Sequence, residues 1–174
     1  MGYSTGNDGL DANGNFNISG GVVYAIGTSS PEMAIDANTE GGYKLTVSGG
    51  ILFSCGPLES GSTLTQSCYS ASSISKNVWY SLTSGSNTYC FKTPSSLSVS
   101  TLVVSASSQP TVKSGVTVSG GTSVLNGMAY YGATVSGGSS VSLSSYTGGN
   151  GGGGGPGGGG GPGGGGGPGG GGWW

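Results

Sequence analysis

Ile18-Ser19-Gly20-Gly21 returns as Val47-Ser48-Gly49-Gly50, as Val118-Ser119-Gly120-Gly121 and as Val135-Ser136-Gly137-Gly138. An alternating apolar run leads into each copy: Phe16-x-Ile18, Tyr43-x-Leu45-x-Val47, Val116-x-Val118 and Ala133-x-Val135. A second short run follows most copies, at Val22 to Ile26, Ile51 to Phe53 and Val141-x-Leu143. Alternation with period two sends one row of side chains to a buried face. Ser-Gly-Gly then turns the chain, since glycine takes positive φ without steric cost. A second repeat accompanies the first: Leu10-Asp11-Ala12-Asn13 returns 25 residues on as Ile35-Asp36-Ala37-Asn38. Strand, glycine turn and strand at spacings of 17 to 29 residues reads as one coil of a solenoid, which buries its apolar row only by stacking on neighbours. The expected fold is all-β: a single-stranded parallel β-helix with a core of stacked Val, Ile, Leu and Phe. The competing architecture is an antiparallel sandwich, which needs hairpin turns of the Asn-Gly type; Asn13-Gly14 and Asn126-Gly127 are candidates.

The repeats divide the chain into β-helix coils over 1–56 and 114–147, with an inserted strand-rich flank over 57–113 and a Gly/Pro-rich tail over 148–174. Within the flank, Leu58 to Ser75 is loop-like, and Asn77–Leu82, Thr88–Lys92 and Ser98–Ser105 read as strands. Ser84-Gly85-Ser86-Asn87 is the hairpin turn between the first two.

Composition excludes several chemistries. The 174 residues include 42 Gly and 7 Pro, and only 6% are charged. There is no His and no Arg, and the four cations are Lys44, Lys76, Lys92 and Lys113. Without His, neither a Ser-His-Asp triad nor a histidine metal site can form. Four scattered lysines at net charge -2 make no basic patch for phosphates, so no nucleic-acid partner is expected. No run of 18 apolar residues exists, so no membrane span is expected. Met1-Gly2 leads straight into polar residues; no signal peptide is expected in this stretch, and the expectation is either a cytosolic chain or a trimmed mature fragment.

From Gly151 the tail reads five Gly, Pro156, five Gly, Pro162, five Gly, Pro168, four Gly, Trp173 and Trp174. Glycine-rich chains are ordinarily flexible coils. A proline period of six, however, is twice the three residues per turn of a polyproline-II-type helix. All prolines then share one edge, and the bare glycine edges allow close backbone packing. The expectation is a polyglycine-II-like segment that packs within or between chains, with the paired tryptophans as an anchor.

Six carboxylates are present: Asp8, Asp11, Glu32, Asp36, Glu40 and Glu59. Asp11 and Asp36 occupy the same point of successive repeats and are expected to stack. Such residues cap turns through backbone N–H groups or share a calcium ion through oxygen ligands; Asp8, Asp11, Asn13 and Asp36 are the candidates. Two carboxylates can also flank a glycosidic bond, but no catalytic residue is assigned and no cofactor other than calcium is entertained. Cys55 and Cys68 enclose a short loop and are a candidate disulfide; as small buried hydrophobes they need no bond, and Cys90 is left over in either case.

Asp8-Gly9-Leu10-Asp11-Ala12-Asn13-Gly14, followed by Ile18-Ser19-Gly20-Gly21, resembles a family of bacterial surface proteins of carbohydrate-binding-domain-containing type, common in gut Bacteroidota. Lys76-Asn77-Val78-Trp79-Tyr80 with Phe91-Lys92-Thr93-Pro94 is similar to the same group. The resemblance covers most of the chain before the tail. It implies β-helix coils, export to the cell surface, further coils upstream of this chain and an affinity for glycans, without identifying binding residues. The tail separately resembles the polyglycine-II bundles of phage tail-fibre adhesins. Two functions follow as expectations. One is a non-enzymatic extracellular structural protein, a self-associating surface or filament subunit that forms homo-oligomers through its tail. The other is a carbohydrate-binding adhesin module, with Tyr69, Trp79, Tyr130 and Tyr131 as candidate sugar platforms.

Overall fold

The structure is a computed structural model and describes residues 8–29 and 32–148. The described chain forms β1 (Phe16–Ile26), β2 (Leu45–Cys55), β3 (Thr63–Leu64), β4 (Cys68–Ala71), β5 (Trp79–Ser84), β6 (Asn87–Lys92), β7 (Leu102–Ser105), β8 (Thr111–Ser119), β9 (Thr122–Val124), β10 (Ala129–Tyr131), β11 (Thr134–Ser140) and β12 (Ser144–Tyr146), with one 3-10 turn at Thr39–Gly41. The fold is all-β. Two sheets form, the first in the order β1-β2-β7-β4-β12 with β3 also on β2, the second in the order β11-β8-β5-β6-β10-β9.

The repeats pair as their spacing implies in the first part of the chain. β1 lies parallel to β2, with Ile18 opposite Val47, Val22 opposite Ile51 and Tyr24 opposite Phe53. β3 adds to β2, also parallel. Beside them, Leu10, Ile35 and Leu58 form parallel bridges, joined by Leu10 N donating to Ala34 O at 3.0 Å and Asp36 N donating to Leu10 O at 2.8 Å. These residues make a short parallel stack of rungs.

The parallel β-helix expected for the body is corrected by the remaining pairings. β7 runs antiparallel to both β2 and β4. The second sheet is antiparallel throughout, including β8 with β11, so residues 114–147 are not coils. The physical reason is that Ser-Gly-Gly does not specify pairing direction. Gly120 and Gly121, at φ 64 and 77, turn the chain sharply between β8 and β9. Gly21 and Gly50, at φ 78 and 89, instead make a bulge inside a continuing parallel strand. Asn126-Gly127 makes the β9–β10 turn, with Gly127 N donating to Val124 O at 3.2 Å, whereas Asn13-Gly14 is a bend before β1. Ser84 pairs with Asn87 across Gly85-Ser86, the hairpin read from the sequence.

Alternation builds three layers. Between the two sheets lie Tyr24, Phe53, Leu82, Phe91, Leu102, Val104 and their neighbours. Phe53 and Phe91 stack at 4.6 Å between ring centroids, with Tyr24 and Tyr80 against them. Tyr24 Oη donates to Lys92 O at 2.7 Å. The opposite face of the first sheet presents Ile18, Val47, Leu52 and Val103 to Ile35 and Leu58 of the bridge stack.

The candidate disulfide is also corrected. All three cysteines are free and buried. Cys55 stands opposite Leu102 and Cys68 opposite Ser105, on the two strands flanking β7. That places them two strand spacings and three residues apart, about 14 Å between Cα atoms, where a disulfide needs less than about 7 Å. Cys55 faces the inter-sheet core and Cys68 the other core.

Candidate functional site

Among the described residues, the stack of rungs is closed at one end and open at the other. At the closed end, Tyr146 Oη of β12 accepts from Leu58 N at 3.0 Å and donates to Leu58 O at 3.4 Å. At the open end, β1 pairs only with β2 among the described strands. Its eleven residues, FNISGGVVYAI, contain no charge and no proline. Half of the backbone groups of such an edge point outward without a partner, and charge and proline are the devices that ordinarily block it. Leu10, Phe16, Val22 and Val23 are half-buried and line a groove of about 450 Å³ along this edge, together with Gly20 and Gly21.

Two equivalent glycines show what the open rung lacks. At Gly49, a Cβ would lie 2.5 Å from Ser19 O, because β1 sits directly against it. At Gly50 it would lie 2.7 Å from the backbone of Gly20. Gly20 holds the place in β1 that Gly49 holds in β2, yet a Cβ there would meet nothing within 4 Å, and its φ lies outside the left-handed region. Nothing in the described chain requires glycine at position 20.

Along the bridge stack, Asp11, Asp36 and Glu59 follow Leu10, Ile35 and Leu58 in register, so the carboxylates form a row. Asp36 hydrogen-bonds Glu59 through their carboxyl groups. The Asp36 carboxyl is pushed up to about 7, by burial first and then by the hydrogen bond and charge of Glu59, with Ala37 N–H pulling the other way. Glu59 Oε1 also accepts from Ser60 Oγ at 2.9 Å. Asp8 Oδ1 accepts from Met33 N at 2.6 Å, and Glu32 is held above the ordinary carboxylate range by partial burial and by Asp8 beside it. Asn13 is exposed, while Asn38, its counterpart in the next repeat, caps the 3-10 turn by accepting from Gly41 N at 2.7 Å. Among the described residues, no three His, Cys, Asp or Glu side chains converge where they could hold a metal ion. Adjacent carboxylates in a row share protons, whereas calcium needs a cage of six to eight oxygens.

The four candidate platform aromatics do not form one surface. Tyr80, Leu82 and Phe91 face the inter-sheet core, so Trp79 and Lys92, paired across β5 and β6, face outward. Tyr130, opposite Cys90, joins them: its ring meets Trp79 edge-on at 5.5 Å, and Lys92 Nζ lies 5.9 Å from the Trp79 ring. Tyr131 follows on the opposite face of β10 and is exposed. Tyr69, on the first sheet, is half-buried against the inter-sheet core. The assembly residues read from the sequence, Gly151, Pro156, Pro162, Pro168, Trp173 and Trp174, lie outside the described residues.

Sequence reasoning missed the groove at β1, the Lys92 contact, the place of Glu59 in the carboxylate row and the approach of Glu32 to Asp8. The Ser-Gly-Gly alignment of positions 19–21 with 48–50 marks where the groove lies, but not that it is open. The chain matches no protein-family model, and no curated protein or solved structure is significantly similar to it.

Proposed function

We propose that this chain is a non-enzymatic, self-associating structural protein, a subunit of an extracellular surface layer or filament, whose copies join at the open rung of β1. The observation that carries the reading is Gly20: a backbone packs on its twin Gly49, whereas among the described residues nothing packs on Gly20. The uncharged edge of β1 supports it, since an unblocked edge strand recruits another chain. On this reading the parallel stack is a solenoid fragment extended by a partner, and the glycine-rich tail packs against other subunits. The test is the solution mass of the full chain over a wide concentration range, beside Gly20→Ala. Growing assemblies of the parent and a monomeric variant support the reading; a monomeric parent at high concentration overturns it.

Contact with a glycan is a second reading, favoured by the outward pairing of Trp79 with Tyr130 beside Lys92 and by the family resemblance. A glycan array separates the two: binding lost in Trp79→Ala supports a platform, and a blank array removes it. Among the described residues, no helix is long and apolar enough to cross a membrane.

A further inference from the structure

We infer that the occupant of the open rung is the C-terminal tail of a second copy, with Trp173 and Trp174 seated in the apolar groove of β1. The inference rests on the self-association reading and names its partner surface. The groove is lined by Leu10, Phe16, Val22 and Val23, with bare backbone at Gly20 and Gly21. An occupant must therefore offer two things: main-chain groups that can approach closely, and large apolar side chains. Residues 149–174 hold both in one segment, a run of glycines and prolines interrupted only by Asn150, without charged side chains, that ends in two tryptophans. An added strand of this kind takes affinity from main-chain hydrogen bonds and specificity from side chains in pockets.

The topology supplies the direction. The last described residue, Gly148, follows β12, and β12 and β1 are the opposite edges of the first sheet. Four strand spacings, about 19 Å, separate the point where the tail leaves from the groove that receives one. Both faces of that sheet are covered by packed cores, so a tail returning to its own groove has to pass around a whole layer. A neighbour added at the β12 edge presents its groove beside the point of departure. Donor and acceptor are then different surfaces, a heterologous contact that repeats without closing and generates a filament. The 26 residues of 149–174 reach roughly 80 Å when extended, ample for this span.

The test is a complementation experiment on full-length chains. Trp173→Ala/Trp174→Ala keeps a working groove and lacks the plug. Gly20→Ala keeps the plug and blocks the rung. Each alone is expected to be monomeric at concentrations where the parent chain assembles. Mixed at equal amounts they are expected to form a particle of twice the chain mass that does not grow, because one productive contact uses up the only good plug and the only good groove. Thermal melts of both variants check that each is folded. If the tryptophan variant assembles like the parent chain, the tail is not the occupant, while self-association through β1 stands. If both variants are monomeric and the mixture yields no heterodimer, the tail acts elsewhere and the inference falls. A parent chain that is monomeric with its tryptophans shielded from quencher means docking on its own groove, and overturns both this inference and the proposed function.

Discussion

Adding one methyl group at two equivalent glycines should have opposite effects. In Gly49→Ala the new Cβ would sit 2.5 Å from Ser19 O, where ordinary contact begins near 3.4 Å. The two rungs must then part by about 0.9 Å. Overpacking of a well-packed site costs about 1–3 kcal/mol, and the obstacle here is backbone, so the upper end applies. At about 2–4 °C per kcal/mol for a domain of this size, Tm should fall by roughly 6–12 °C. In Gly20→Ala the same methyl meets open space, and replacing glycine narrows the unfolded ensemble, which stabilises by about 0.4–1 kcal/mol. Its Tm should rise by a degree or a few. Association should show the reverse ranking: a partner backbone on Gly20→Ala meets the clash that Ser19 meets in Gly49→Ala, and about 3 kcal/mol there is a loss of about 100-fold in affinity. Differential scanning calorimetry gives the first quantity and sedimentation velocity the second. Equal destabilisation by both substitutions, or a Gly20→Ala chain that assembles like its parent, would refute the reasoning.

Acidity should stabilise the fold. Asp36 titrates near 7 when folded and near the ordinary carboxylate value of about 3.9 when unfolded. The folded chain therefore binds the extra proton between those values. That contribution is fully present below about pH 4 and is lost as pH rises through 7, so Tm should fall between pH 4 and 8; Asp36→Asn should flatten the profile, and a Tm that climbs over this range contradicts the carboxyl pairing. A chelator should leave Tm unchanged at every pH; a fall in Tm on chelation would return calcium to the row. The three thiols should be slow toward a disulfide reagent at pH 8 in the native state, since burial pushes Cys55 up to about 12 and raises Cys68 and Cys90 as well; all three should react after unfolding, and a count of one would reinstate a disulfide. Phe53→Ala removes the ring that touches Tyr24, Tyr80 and Phe91 and should cost about 3–5 kcal/mol, read as a shift in the guanidinium midpoint.

Much of the strand content was legible because alternation is local. The residues flagged at Val47, Phe53, Tyr80 and Phe91 are buried, and the 29-residue offset between Ile18 and Val47 is the pairing register of β1 on β2. Pairing direction was not legible. A glycine doublet serves as a bulge in β1 and as a corner after β8, and the choice is made by the partner strand. The alternation at Trp79-Tyr80 likewise fixes that one ring is buried without saying which; Tyr80 goes inward because Leu82 and Phe91 share its face. In the carboxylate row, Asp11 and Asp36 were visible through their repeat. Glu59 was not, since Leu58-Glu59 lacks the Ala-Asn that marks the other two rungs. The open rung needed coordinates: only the contrast between the crowded Gly49 and the vacant Gly20 separates a structural glycine from one awaiting a neighbour.

Residue-resolved amide hydrogen exchange across β1, at dilute and assembling concentrations of the full chain, addresses the open rung most directly. Amides from Asn17 to Val23 should slow markedly on assembly while the interior strand β7 is unchanged. Assembly that proceeds with β1 exchanging as fast as in the dilute chain would place the contact elsewhere and contradict the account.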